Sequence, residues 1–504
     1  MSKIAKATVG LMIVTMISKV LGFSRELVLG AVYGASNYSD VYITAMNIPT
    51  TLFTLIGTAL ITTFMPLYFE NHSIGGEEKA NYFVSNIFNI IVVFSVVVAL
   101  GGILFARPLV KIFAMGFEYQ KFELAVKFTR IMIFGGIFVA LSKLMTSYLN
   151  AKGSFKIPGL TGIPFNIIII ISIILSASIN IYILPIGTLI AMASQFLFQC
   201  PFVIKKGYKY RPILDIKDES VKKMTYLLAP VFIGVAVNQV NSVVDKTLAS
   251  TLVEGSISAL NYANRLNSFV MAMFISSVAS VVYPMLSKLS SENNKEKFTE
   301  SVVKSVNSVI LLVIPISVGA IVLATPIVEL LFQRGAFDAR ATKMTAIALV
   351  FYSIGMVGFG LRDILGKVFY SLQDTKTPMV NGAIAIIMNI VLNVLLIKYM
   401  EHAGLAFATS ISGIVCILLL FRSLKKRIGY YGEDKIIKST IKSLIASIIM
   451  GVITWFVYEC ISNVVGLILS ISVGVIVYGI LIIIFKVEEL NIIINFINKK
   501  VRKI

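Results

Sequence analysis

This chain repeats itself at an offset of about 218 residues, inside a nearly unbroken series of membrane-length apolar segments. A-R-P-L-V-K-I-F from Ala106 to Phe113 answers A-T-P-I-V-E-L-L from Ala324 to Leu331, and T-F-M-P-L around Pro66 answers V-Y-P-M-L around Pro284. A third pair drifts by a few residues, with Y-L-N-A-K-G-S-F-K-I-P ending at Pro158 and Y-S-L-Q-D-T-K-T-P at Pro378. One such pair arises by chance. Several in order near one offset imply duplicated halves, the organisation of a two-lobed transporter.

Of the 504 residues 57% are hydrophobic and 14% charged, and the mean hydropathy is +0.89, more apolar surface than a soluble fold of ordinary composition buries. At ~20 apolar residues per spanning helix, the sequence reads as an all-α polytopic membrane protein of about fourteen transmembrane helices, from Ala7–Gly34 to Val464–Phe485. About six fall in each repeat, an even number, so the copies enter the membrane in the same sense and are related by a pseudo-two-fold axis along its normal. The expected organisation is an N-lobe over 1–204, a basic linker over 205–223, a C-lobe over 224–421, two further spans over 422–486 and a basic amphipathic tail over 487–504. The extra pair has no counterpart in the repeat and reads as a lateral stabiliser. The tail alternates apolar and basic residues, as a segment lying on an anionic leaflet does.

A formal charge of +20 also suits nucleic acid, but here it follows the loops. Lys205, Lys206, Lys209, Arg211, Lys217, Lys222 and Lys223 crowd one, Arg422, Lys425, Lys426, Arg427, Lys435 and Lys438 another, and Lys499, Lys500, Arg502 and Lys503 the tail. By span count these share a side with Lys3 and Lys6, so the positive-inside rule places both termini in the cytoplasm and the loops near Gly34, Asn180, Glu254 and Ser462 outside. The first apolar run continues to Gly34 without a small-residue cleavage site and is read as an uncleaved span. Cys200, Cys416 and Cys460 lie in or at the end of apolar spans and are odd in number, which indicates neither a disulfide framework nor a metal site. With two His and no P-loop or nucleophile elbow, the chain lacks the usual parts of an enzyme.

Ionisable side chains are costly in a bilayer and mark cavities or partners. I-S-K-V-L-G-F-S-R-E, from Ile17, puts Lys19, Arg25 and Glu26 in the otherwise apolar first span, and a bend at Gly22 is expected to bring the two cations together. The plainer alternative pairs Arg25 with Glu26 or Asp40. The second lobe carries Arg265 in S-A-L-N-Y-A-N-R-L. Arg25 and Arg265 each lie about ten residues from an external loop, which at ~1.5 Å per residue puts both ~15 Å deep. One guanidinium from each lobe at one level makes a cationic cavity suited to bidentate capture of phosphate oxygens; otherwise each snorkels or pairs separately. Asp245 with Asn389, Asn393 and Thr409 offers oxygen ligands for a monovalent cation. The competing reading is interhelical hydrogen-bonding glue, with Lys246 as a partner for Asp245. Glu329 to Phe337 reads as a short amphipathic packing element. Pro49, Pro66, Pro284, Gly57, Gly135 and Gly136 are candidate kinks or hinges.

In these motifs the chain resembles the MurJ (MviN) lipid II flippases of the multidrug/oligosaccharidyl-lipid/polysaccharide exporter superfamily. S-K-V-L-G-F-S-R-E is similar to the family's first-helix signature, and S-D-V-Y at Asp40, Y-A-N-R-L at Arg265, L-F-Q-R-G-A-F and L-Q-D-T-K-T-P also match, covering roughly Met1 to Leu420. The resemblance implies fourteen helices, two six-helix lobes and a central cationic cavity that takes the pyrophosphate and sugar headgroup of lipid II while the polyprenyl tail stays in lipid. Arg25 and Arg265 match its headgroup positions, and Ser18, Lys19, Glu26 and Asp40, in the same motifs, join them as candidate substrate-binding residues. Asp245, Asn389, Asn393 and Thr409 resemble a sodium site. Where many relatives carry an Arg pair after the proline of the second helix, this chain has Phe53 and Thr54, so Lys19 is the compensating cation; where they carry an Asp in the ion site it has Asn393, which weakens the case for sodium.

The expectation is therefore a monomeric lipid II flippase of the bacterial cytoplasmic membrane, surrounded by membrane lipids and working by alternating access without a cofactor other than a Na+ coupling ion. The alternatives are a flippase for another polyprenyl-pyrophosphate oligosaccharide, a multidrug exporter of the same fold, and a scaffold for cell-wall assembly.

Overall fold

The computed structural model describes residues 3–292 and 294–487, and within them every regular element is an α-helix. The expected basic tail lies outside the described residues apart from Val487. The chain packs into two compact units.

The first unit holds the residues up to Ser258 together with Arg334–Phe337. Its helices are α1 (Lys3–Tyr33), α2 (Asn37–Leu104), α3 (Ala106–Phe113), α4 (Tyr119–Met132), α5 (Gly135–Ala151), α6 (Lys156–Leu160), α7 (Gly162–Ser178), α8 (Ile183–Lys205) and α9 (Glu219–Ala249). The second unit, Ala259–Gln333 with Asp338 onward, holds most of α10 (Ser256–Ser291), then α11 (Lys295–Val322), α12 (Ala324–Phe332), α13 (Ala339–Ile354), α14 (Met356–Ser371), α15 (Lys376–Ile428), α16 (Glu433–Ile461) and α17 (Val464–Ile484).

Among the described residues seven helices are long and apolar enough to cross a membrane, or nine if two bent pairs each form one span. The protein is a multi-pass, all-helical membrane protein. Two of the long elements each contain two expected spans. α2 turns back at Gly75 and Gly76, the latter at φ +60°, and α15 breaks at Glu401. α1, α9 and α10 also have membrane-spanning length, 31 to 36 residues or roughly 46–54 Å at ~1.5 Å each. They carry Lys19, Arg25 and Glu26 (α1), Asp245 (α9) and Arg265 (α10), respectively.

The duplicated halves share local geometry. A break precedes α3 at Phe105 (φ −96°, ψ 21°) and α12 at Leu323 (φ −101°, ψ 21°), and the two amides bond to Gly101 and Gly319 at 2.8 and 2.9 Å. The α4–α5 and α13–α14 pairs are both bent by 42°. Glycine stands at each bend for one reason: a Cβ on Gly135 would lie 2.4 Å from Met192 Sδ, and one on Gly355 2.5 Å from Ser410 Cα. Both pairs end in the same turn, with Gly153 (φ +72°) and Gln373 (φ +58°) left-handed and the next amide reaching back to Leu149 O or Phe369 O at 2.8 and 2.9 Å. In the second copy, hydrogen bonds from the Thr377 N–H and hydroxyl hold the Asp374 carboxyl below its usual range. Of the other proposed hinges, Pro49, Gly57 and Pro66 lie inside α2 away from its turn.

Each unit has its own core: Phe53, Phe64, Phe83 and Tyr148 in the first, Val306, Leu365, Phe369 and Leu424 in the second. The basic linker is docked rather than loose. Asn81, Ser85, Asn86 and Asn89 form a polar stripe on α2, and Asn86 exchanges two 2.8 Å hydrogen bonds with the Asp215 backbone. Asn89 donates to Arg211 O and Ile213 O, while Arg211 and Lys223 pair with Glu78 and Glu70. α9 packs against α2 and α3, and so belongs to the first unit by packing. The two extra helices, α16 and α17, pack on each other and on α11. Tyr478 bonds Ser443 at 2.9 Å and Leu311 O at 2.8 Å, while Ile468, Val475, Ile476 and Ile480 stay exposed, as on a lipid-facing surface.

Candidate functional site

Arg25 sits on α1 in the first unit, and α7 supplies its surroundings. Its Nη2 donates to Glu26 Oε1 at 2.6 Å and its Nη1 to Asn166 Oδ1 at 3.3 Å, while its guanidinium lies 5.6 Å from the centre of the Phe165 ring. Both members of the ion pair are buried, 8% and 3% exposed. The local pair named as the plainer alternative is thus present. Asn166 also donates to Gly162 O at 2.7 Å and Ser18 O at 3.5 Å, and so ties α7 to α1 beneath the guanidinium. Two of the five N–H donors of Arg25 are used in these contacts.

Lys19 does not join this cluster. α1 runs continuously through Gly22, and six residues at ~100° each place Lys19 and Arg25 on different faces; Lys19 is exposed. Ser18 faces α7 instead, where a Cβ on Gly162 would lie 1.9 Å from its hydroxyl.

Asp40, 1% exposed, is an anchor. Its Oδ1 accepts from the Ser258 N–H and hydroxyl at 2.9 and 2.7 Å, and its Oδ2 from the Gly255 N–H and Lys121 Nζ, both at 2.9 Å. These fix the first turn of α10 against α2 within the first unit. Glycines allow backbones to meet there. A Cβ on Gly255 would lie 2.4 Å from Ala35 O and one on Gly335 2.2 Å from Ala31 O, where Ala336 N donates to the same Ala31 oxygen at 2.8 Å. The element expected over Glu329 to Phe337 accordingly divides into the end of α12 and a turn that packs on α1.

Arg265 lies on α10 in the second unit, as an exposed residue. Asn389, Asn393 and Thr409 do come together there: Asn393 donates to Asn389 Oδ1 at 3.0 Å and Asn389 to Thr409 at 3.4 Å, while Thr409 donates to Leu405 O. Their oxygens are neutral, and the pattern is that of hydrogen-bonded helix contacts. Asp245 belongs to α9 in the first unit, with Asn241 donating to it at 3.5 Å. No group of three or more His, Cys, Asp or Glu suited to a metal occurs among the described residues.

Sequence reasoning missed Asn166, and also Tyr42 and Thr188, a buried hydroxyl pair 3.0 Å apart. The available signal was an amide inside F-N-I-I-I-I, since an intramembrane Asn needs a partner as an ionisable group does.

The chain matches the family model described as "Lipid II flippase MurJ" over residues 29–474. The chain belongs to the MurJ lipid II flippase family. It is 32% identical over 455 residues to a probable lipid II flippase MurJ of Vibrio cholerae, covering 88% of this chain and 87% of that one. Against the lipid II flippase MurJ of Burkholderia cenocepacia it is 30% identical over 427 residues, 83% of each. A lipid II flippase MurJ solved in an inward closed conformation superposes with a TM-score of 0.82 at 29% identity, covering 94% of this chain and 98% of that one. An inward-facing multidrug transporter of the MATE family reaches a TM-score of 0.68 at 12% identity over 84% of this chain and 99% of that one, a likeness of fold alone.

Proposed function

We propose that this protein translocates lipid II, an undecaprenyl-pyrophosphate-linked peptidoglycan precursor, from the inner to the outer leaflet of the bacterial cytoplasmic membrane. Family membership over most of the chain carries this reading, and the buried Arg25 cluster supports it. The same two-lobed fold serves multidrug exporters, so the fold alone does not choose a substrate. A guanidinium held in an apolar helix favours an anionic headgroup over cationic drugs. In this reading Arg25 and Arg265 take pyrophosphate oxygens, Glu26 and Asn166 orient Arg25, and the polyprenyl chain stays in lipid. Both termini face the cytoplasm, the protein acts as a monomer among membrane lipids, and transport proceeds without covalent chemistry.

Depleting the protein in living cells is expected to make lipid II accumulate and become inaccessible to an external enzyme that cleaves its headgroup, followed by lysis under osmotic load. Continued external accessibility, in a cell with no second flippase, means that the protein moves something else.

Sodium is the proposed coupling ion for the Asn389, Asn393 and Thr409 group. A bound ion raises thermal stability in proportion to its affinity, so ~100 mM sodium is expected to raise the melting temperature above that in potassium or choline. Asn389→Ala is expected to remove the difference, and Asp245→Asn reports whether that carboxylate takes part. Equal melting in the three salts leaves the group as helix-packing contacts.

A further inference from the structure

We propose that Lys143 is a phosphate-binding cation of the first unit, taking pyrophosphate oxygens of the polyprenyl-linked substrate; this rests on the substrate class proposed above. Lys143 lies midway along α5, eight residues from either end of Gly135–Ala151. At ~1.5 Å per residue it is ~12 Å from the end of the helix, further than a four-carbon stem carries an ammonium. Its stem crosses α2 at Gly57, where a Cβ would come within 2.7 Å of Lys143 Cγ. Glycine at 57 therefore makes the slot in which the lysine lies.

Three other cations of this unit with little exposure hold carboxylates. The side chains of Arg25, Lys121 and Lys152 are 10%, 14% and 16% exposed and pair with Glu26, Asp40 and Glu77. Among the described residues Lys143 has no carboxylate within 4.0 Å. An ammonium on a membrane helix without such a partner faces a polar cavity or meets an anion.

The repeat gives an independent reason to place this position away from acyl chains. The bend glycines Gly135 and Gly355 and the turn prolines Pro158 and Pro378 fix an offset of 220 residues, which aligns Lys143 with Asp363. Asp363 is exposed on α14. Both copies thus carry an ionisable side chain at the same level of the bent span, where a lipid-facing position carries an apolar one. Arg25 already pairs with Glu26, and Lys143 adds a further positive charge to this unit.

The test restores the charge on one folded sample. Cys200, Cys416 and Cys460 are replaced by alanine, Lys143→Cys is introduced, and the purified protein is capped with either aminoethyl methanethiosulfonate, which returns an ammonium, or neutral methyl methanethiosulfonate. Binding of lipid II, of a polyprenol of equal chain length and of phosphatidylglycerol is then titrated. The neutral cap is expected to weaken lipid II binding about tenfold or more relative to the ammonium cap, with polyprenol and phosphatidylglycerol unchanged, and Lys143→Met to match the neutral cap. Equal lipid II affinity for the two caps overturns the assignment of Lys143 alone. Equal weakening of phosphatidylglycerol also overturns it, by showing a general lipid contact. If the cysteine-free parent and the wild-type protein bind lipid II no better than polyprenol, the substrate reading fails and takes this one with it.

Discussion

Arg25→Ala is expected to reduce lipid II transport about a hundredfold or more. A guanidinium that donates two charge-assisted hydrogen bonds to a pyrophosphate contributes about 1.5–3 kcal/mol through each, and losing about 3 kcal/mol already lowers an equilibrium by a factor of over a hundred. The substitution also leaves Glu26 as a buried carboxylate without its 2.6 Å partner, and breaking a buried pair costs about 3–5 kcal/mol of stability. The two effects separate in the double variant Arg25→Met with Glu26→Gln, which removes both charges together. That variant is expected to recover most of the thermal stability lost in Arg25→Ala while remaining inactive. Arg25→Lys keeps the charge but not the planar fork and is expected to rescue transport poorly. Headgroup accessibility in vesicles and melting in detergent, measured on the same preparations, check both halves. A double variant with wild-type transport removes Arg25 from substrate binding.

Asp40→Ala is expected to give a large loss of stability. Its carboxylate accepts four hydrogen bonds at 2.7 to 2.9 Å while 1% exposed. Removing it strands the Lys121 ammonium and the amides of Gly255 and Ser258. The expected cost is about 3–5 kcal/mol, the range for a broken buried pair, with Asp40→Asn intermediate because an amide retains one acceptor oxygen. Thermal unfolding of the purified variants measures it. The double variant Asp40→Ala with Lys121→Met is expected to be less destabilised than Asp40→Ala alone, because no cation is then left unpaired. Melting equal to wild type for Asp40→Ala removes the anchor role.

Much of the fold is legible in the chain because it is written in repetition. The offset that pairs Pro158 with Pro378 also pairs Gly135 with Gly355, and the structure bends both spans there by 42°. The helical hairpin at Gly75 and Gly76 and the separation of α7 from α8 near Asn180 follow from apolar length and turn residues. The site is less legible because it depends on which face a side chain takes. Arg25 and Glu26 stand out in sequence, yet the partner that fixes the guanidinium is Asn166, 141 residues away on α7. The expected bend at Gly22 is absent: α1 runs through it as continuous helix, and a Cβ there would meet Asn166 only at an ordinary contact distance of 3.7 Å. Asp40 stands out equally, but only coordinates reveal that Lys121, Gly255 and Ser258 saturate it. Lys143 gives no motif signal at all; its interest comes from lying over Gly57 without a carboxylate.

Purified protein is expected to move lipid II across a bilayer without any other component. Protein reconstituted into liposomes carrying fluorescent lipid II is exposed to a membrane-impermeant reagent that destroys the headgroup label from outside. Without protein, about half of the label is expected to stay protected, because each leaflet holds half of a lipid that does not cross unaided. With wild-type protein the account predicts loss of nearly all of the label, and with Arg25→Met/Glu26→Gln a return to half. Protection that stays at half with correctly folded wild-type protein, under imposed sodium and potential gradients, would contradict the account.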